Sequence, residues 1–292
     1  MTRIITSLDE IDAGYRTLFC DLWGCLHNGV AAFPDAVEAL RRHKARGGTV
    51  VLITNSPRPA AGVAAQMLGL GVPRDCYDAI ATSGDAAQEG LAAGLVGRNV
   101  HHLGPPRDEA FFHRPDGTPI DVARVPLEEA EGIVCTGLFD DRTETPEDYR
   151  ATLLYARTRG MKLLCANPDV IVDVGEQRIF CAGAIAEAYD AAGGESLYFG
   201  KPHPPIYALA RARLADGTGQ DPESDEILCI GDGIATDILG AMGENLDALF
   251  VAGGLAARET GTTAAAGPDP ARLEAFLDAA RLAPRMAIAL LR

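Results

Sequence analysis

Thr17-Leu18-Phe19-Cys20-Asp21-Leu22-Trp23-Gly24-Cys25-Leu26-His27-Asn28-Gly29 opens on residues suited to a buried strand and changes character at Asp21. The apolar run delivers a carboxylate to a strand tip, and the glycines permit a tight turn directly after it. Open α/β sheets carry their chemistry at such C-terminal strand ends. A second apolar run, Ile227-Leu228-Cys229-Ile230, ends the same way in Gly231-Asp232-Gly233, with Asp237 five residues beyond Asp232. Two carboxylates brought in by two strand ends suit a hard, oxygen-seeking cation such as Mg²⁺. The chain therefore reads first as a metal-assisted enzyme.

Outward from these tips, apolar runs alternate with alanine-rich helical stretches, the pattern of an α/β protein with a doubly wound parallel sheet. Candidate core strands are 17–23, 49–55, 79–83, 196–200, 226–232 and 248–253. Between the first two, 35–46 has the spacing of a helix with one apolar face, closed by Gly47-Gly48, which makes a βαβ unit. A second set of signals occupies the middle: strands at 99–104, 132–138 and 162–167, and a helix at 146–159. Joints rich in Gly and Pro near 90–97 and at Gly193-Gly194 bracket that set. This assigns residues 1–84 and 195–292 to one core and 85–194 to an inserted α/β domain. The stretch 261–270 reads as a small-residue linker into a last helix that packs Leu273, Phe276, Leu277 and Ala280 on the core.

The 292 residues carry a formal net charge of −15 and a pI near 4.8. That charge repels polyanions and anionic lipid, so neither a nucleic-acid polymer nor a membrane is expected as partner. A small phosphorylated metabolite held through a metal remains compatible. No apolar stretch approaches the ~20 residues of a membrane span. Ser7-Leu8-Asp9-Glu10 has the form of a capping box, and no signal peptide is expected. Seven cysteines without a Cys-x-x-Cys pair are expected to be reduced, buried thiols of a cytoplasmic protein.

Four pieces follow one another at predicted strand ends: Asp21, Thr54-Asn55, Lys201, and Asp232 with Asp237. Their types suit phosphoryl transfer from a monoester, in which a nucleophile attacks phosphorus while fixed charges hold the non-bridging oxygens. Asp21 would be nucleophile and metal ligand. Thr54 offers a hydroxyl to phosphate, and Lys201 a compact positive charge among the carboxylates. Asp232 completes the metal shell, with Asp237 supporting it.

The ordered set resembles the haloacid dehalogenase superfamily, and within it the nitrophenylphosphatase-like subclass with a large cap inserted between the second and third motifs. The resemblance runs from Asp21 to Gly254 and includes Thr54-Asn55-Ser56, Cys165-Ala166-Asn167-Pro168-Asp169, Cys181-Ala182-Gly183-Ala184, Phe199-Gly200-Lys201-Pro202 and Thr236-Asp237. It implies Mg²⁺, an aspartyl-phosphate intermediate, and small monoesters such as nucleotides, sugar phosphates or phosphoglycolate. It also implies a cap that sets specificity through loops such as that of Asn167 and Asp169. Thr54, Asn55 and Ser56 are thereby expected to bind phosphate or substrate. Caps of this subclass often pair into homodimers, and local composition does not separate a dimer face from a lid face.

One departure counts against turnover. The resemblance places a second aspartate, the general acid and base, two residues after the nucleophile, and here Trp23 stands there. An indole N–H does no proton transfer near neutral pH, which leaves only the Trp23 backbone carbonyl for the metal. Loss of such a group costs about 10²- to 10⁴-fold in rate. His27 is the candidate replacement, against the plainer reading of a loop histidine bonded to backbone. Trp23 reads either as a wall of the phosphate site or as a core aromatic. The rival to a phosphatase is a catalytically silent protein that binds metal and phosphate without turnover. Dehalogenation needs no metal and is disfavoured by Asp232 and Asp237.

Overall fold

The computed structural model describes residues 2–174, 177–263 and 266–292; Met1 and, in the linker read at 261–270, Ala264 and Ala265 lie outside the described residues. In chain order the strands are β1 (Arg3–Ile4), β2 (Thr17–Cys20), β3 (Thr49–Thr54), β4 (Ala79–Thr82), β5 (Asn99–Leu103), β6 (Ala123–Arg124) and β7 (Gly132–Cys135). They continue as β8 (Lys162–Cys165), β9 (Ile171–Val174), β10 (Gln177–Phe180), β11 (Glu195–Tyr198), β12 (Ile227–Gly231), β13 (Asp247–Val251) and β14 (Met286–Ile288). The chain gathers into two compact units, Met1–Thr54, Ala64–Ala81 and Tyr207–Arg292 in the first, Asn55–Val63 and Thr82–Ile206 in the second.

The first unit is built on a sheet of order β1-β14-β13-β12-β2-β3-β4. From β2 the chain winds outward through β3 and β4, and from β12 it winds the other way through β13 and β14. The switch of direction lies between β2 and β12, whose parallel register pairs Cys20 with Ile230. β2, β3 and β12 are buried along their whole length, which is why they read as continuous apolar runs rather than alternating ones. Helix Pro34–Ala45 has Pro in its first turn, where no N–H is needed, and buries Ala36, Val37, Ala39 and Leu40. Asp269 caps the last helix, Pro270–Ala280, by accepting the Arg272 N–H at 2.9 Å, and Leu273 and Leu277 are its buried contacts.

The second unit holds a parallel sheet of order β11-β8-β7-β5-β6 and a separate antiparallel hairpin, β9–β10. Ile133, Cys135, Leu163 and Cys165 form its core with Ile185, Ala186 and Tyr189 of helix Ala182–Ala191 and with Leu153 and Ala156 of helix Arg150–Thr158. The segment read at 196–200 as a strand of the first sheet is instead β11, paired with β8 from Glu195↔Lys162 to Tyr198↔Cys165. Helix Ala182–Ala191 packs on β8, and the turn at Gly193 (φ 84°) and Gly194 returns the chain beside it, a βαβ crossover that alternation alone does not place. β1, β6 and β14, of two or three residues each, are too short to carry a usable period, and β9 and β10 were not read as strands either.

The Ser7–Glu10 capping box is present: Ser7 Oγ accepts the Asp9 N–H at 3.2 Å, and Glu10 accepts the Ser7 N–H at 3.1 Å. All seven cysteines are free and buried. Among the described residues, no helix is long and apolar enough to cross a membrane.

Candidate active site

Asp21 and Asp232 leave adjacent strands at the switch between β2 and β12. The Asp21 N–H continues the ladder by donating to the Ile230 carbonyl at 2.8 Å, so the next residues on the two strands face one another. Donor atoms of Asp21, Cys25 and Asp232, all buried, lie within 4.8 Å of one another. Two glycines provide the room: a Cβ at Gly24 (φ 71°) or at Gly254 would overlap Asp232 Oδ2. The Leu255 N–H donates to that oxygen at 2.9 Å and orients the carboxylate. Asp237, on the π turn Ile234–Ile238, accepts the Gly233 N–H on Oδ2 at 3.0 Å, and a Cβ at Gly231 would overlap its carboxyl. Such one-turn π segments recur at functional sites. Converging carboxylates held by glycine cradles fit a divalent cation, and the Asp21 and Asp232 oxygens are the donors a hard ion takes. Burial, then the neighbouring Asp232 and Asp21, pushes the Cys25 thiol well above its ordinary pKa.

The loop after Asp21 is closed by its own backbone. Leu26 and His27 both donate to the Leu22 carbonyl, at 2.8 and 3.1 Å, and Gly24 donates to the His27 carbonyl at 2.9 Å. His27 Nδ1 accepts the Gly29 N–H at 3.0 Å, while Nε2 is buried with no hydrogen-bond partner among the described residues. Burial lowers its pKa to about 4. A side chain that is 0% exposed and held neutral is poorly placed to exchange protons with a substrate. The geometry thus opposes the acid–base role expected for His27 and matches the backbone-bonded loop histidine. Trp23 is half-buried, and its ring meets His27 edge-on at 4.9 Å between centroids and 71° between planes. A Cβ at Gly29 (φ 81°) would lie 2.5 Å from the indole, so this glycine makes space for the ring.

The buried imidazole has a consequence for stability. Its folded pKa of about 4 lies below the ordinary 6.5, so its contribution is complete above about pH 6.5 and is lost as pH falls through about 4. The gap corresponds to roughly 3 kcal/mol. Denaturant unfolding of wild type and His27→Gln from about pH 7 to about pH 4 is expected to show a shallower acid-side decline in the variant.

Thr54 ends β3 in the first unit and is buried. The next residue, Asn55, begins the second unit, and its side chain is fully engaged there. Its Oδ1 accepts the Lys201 N–H at 2.7 Å, and its Nδ2 donates to the Lys201 carbonyl at 3.0 Å and to Asp169 Oδ1 at 2.8 Å. The side chain of Asn55, expected to bind substrate, thus holds the Lys201 backbone and Asp169. Gly200 is required beside it, since a Cβ there would overlap Asn55 Oδ1. Lys201 is 3% exposed. Ser56 Oγ accepts the Arg58 N–H at 3.2 Å, and Asn167 Oδ1 accepts the Asp169 N–H at 3.0 Å, so both side chains shape turns. Asn55→Ala leaves the buried N–H and carbonyl of Lys201 without these partners, and a loss of about 2–4 kcal/mol in unfolding free energy is expected by denaturant titration. Sequence reasoning missed Cys25 as a neighbour of the carboxylates and Gly254-Leu255 as the support of Asp232. The only sequence signal for the latter was a glycine pair after an apolar run.

A family model described as haloacid dehalogenase-like hydrolase matches residues 18–116, and a HAD-hydrolase-like model matches residues 198–279. A crystal structure from Brucella suis 1330, described as a hydrolase of the haloacid dehalogenase-like family, is 41% identical with a TM-score of 0.86, covering 99% of this chain and 100% of that one. The 5'-nucleotidase YutF of Bacillus subtilis (strain 168) is 26% identical over 84% of this chain and 90% of its own. The ribonucleotide monophosphatase NagD of Escherichia coli (strain K12) is 26% identical over 82% and 88%. With strand-tip carboxylates, a second α/β unit inserted in the sequence and a relative that matches end to end, the chain belongs to the haloacid dehalogenase-like hydrolases, in the nitrophenylphosphatase/NagD-like subclass.

Proposed function

We propose that this hydrolase is a Mg²⁺-dependent phosphatase that cleaves a small phosphate monoester, of the nucleotide, sugar phosphate or phosphoglycolate class, through Asp21. The observation that carries the reading is the convergence of the Asp21 and Asp232 carboxylates at the switch between β2 and β12. The relatives named for nucleotide substrates support the same class. Asp21, the Trp23 carbonyl and Asp232 would hold the ion, with Asp237 supporting them. When bound, Mg²⁺ supplies positive charge to the non-bridging phosphate oxygens.

In this reading an Asp21 oxygen forms a bond to phosphorus as the ester oxygen leaves, and water then hydrolyses the aspartyl phosphate and regenerates Asp21. The Thr54 hydroxyl and the Lys201 ammonium are assigned to the non-bridging oxygens. The leaving oxygen needs a proton unless it is already a weak base. Trp23 offers none near neutral pH, and buried His27 is neutral there, so the proton comes from water. Esters of acidic alcohols and phenols are therefore the better substrates. A cytoplasmic setting, in keeping with seven free thiols, and cap-paired homodimers belong to the same reading.

The test is Mg²⁺-dependent phosphate release from alkyl and activated aryl monoesters by wild type and Asp21→Asn. Release by wild type alone supports the phosphatase. Mg²⁺ and phosphate binding without release above the Asp21→Asn background favours the silent binding protein, which the Trp23 position and the burial of His27 support.

A further inference from the structure

Cys25 sits where a hard-cation site has no use for sulfur. Its side chain is fully buried, and its Sγ belongs to the group of donor atoms, with Asp21 and Asp232, that lie within 4.8 Å of one another. Four other thiols of the chain are satisfied by backbone: Cys20 donates to the Asp21 carbonyl, Cys76 to Pro73, Cys135 to Gly137 and Cys165 to Asn167. The Cys25 sulfur is instead grouped with the Asp21 and Asp232 carboxylate oxygens. The loop that carries it is fixed by the Leu26 and Gly24 N–H bonds, and the Gly24 turn that makes room for Asp232 also sets the direction of the next residue. Sulfur is thus presented to the carboxylates by rigid backbone.

Oxygen donors select Mg²⁺, Ca²⁺ and Mn²⁺, whereas a thiolate selects softer ions. We infer that Cys25 converts the Asp21–Asp232 pair into a mixed oxygen and sulfur site that takes a thiophilic divalent ion, of the Zn²⁺ or Cd²⁺ class, in exchange for Mg²⁺. The inference rests on the reading of Asp21 and Asp232 as a cation site. Binding replaces the S–H bond of Cys25 by a sulfur–metal bond and releases the proton to solvent, so no electron is transferred. Mg²⁺ uses the carboxylates and leaves the thiol intact, so the same site discriminates between ion classes by whether sulfur joins.

The test uses the full chain and Cd²⁺ alone, followed by the ultraviolet sulfur-to-cadmium charge-transfer band and by calorimetry, with Mg²⁺ as competitor. Wild type is expected to show the band, removed by excess Mg²⁺. In Cys25→Ser the band is expected to be absent and Cd²⁺ affinity about 10- to 100-fold weaker. Mg²⁺ affinity should stay within about threefold of wild type, since its donors are oxygens. Cys25→Ala serves if the serine variant does not fold by circular dichroism. Equal Cd²⁺ affinity in wild type and variant, or a band that persists without Cys25, overturns the role of Cys25 while leaving the Mg²⁺ reading intact. Failure of both Cd²⁺ and Mg²⁺ to bind overturns the cation site itself.

Discussion

Asp21→Asn is expected to lower Mg²⁺-dependent phosphate release by roughly 10⁴-fold or more, about 5 kcal/mol or more of barrier. The carboxamide oxygen is a poor nucleophile, and the change also removes one negative charge from the pair that would hold the ion. The substitution leaves in place the backbone N–H of Asp21 on the Ile230 carbonyl, and with it the ladder between β2 and β12. Removing one of two buried carboxylates also relieves like-charge repulsion. Turnover numbers at saturating Mg²⁺, beside a thermal melt, decide the matter. A folded Asn variant that keeps wild-type turnover within about tenfold would place the nucleophile elsewhere.

Trp23→Asp is the converse case and is expected to raise turnover on alkyl monoesters by about 10²- to 10⁴-fold, or roughly 3 to 5 kcal/mol of barrier. The substitution supplies the proton-transfer group that neither the indole nor buried His27 offers. Activated aryl phosphates should gain much less, because their leaving oxygen needs no proton. The substrate dependence therefore separates acid–base rescue from a general improvement in binding. The indole is half-buried against His27 and Gly29, so its removal should cost about 1–3 kcal/mol of stability, less than the roughly 3–5 of a fully buried aromatic. An equal gain on both ester types, or none on either, would show that the missing carboxylate does not limit the reaction.

The two strand tips were legible because their signals are local. Buried parallel strands read as apolar runs, and an acidic residue beside glycine marks the tip, so Asp21, Asp232 and the chain between β2 and β3 followed from neighbours in sequence. The capping box at Ser7 and the terminal helix with Leu273 and Leu277 were legible for the same reason, since caps and helical faces repeat within a few residues.

Asn55, β11, His27 and Cys25 depended on partners far away along the chain or on a local packing geometry that spacing does not encode. Asn55 contacts Lys201 across 146 residues, and only the folded chain shows its side chain holding the Lys201 backbone. β11 has the composition of a core strand, and its sheet was decided by the helix that packs on β8 and turns the chain back beside it. His27 differs from a working acid–base group only in being buried and neutral, and Cys25 differs from an inert thiol only in where its sulfur points. By itself the sequence determined the sheet class and the strand ends that carry carboxylates, because periodicity and turn chemistry act over a few residues, and its ordered motifs carried the resemblance to the family. Burial, hydrogen-bond partners and the meeting of donor atoms from separate strands are properties of the packed chain, and the tertiary structure alone decided them.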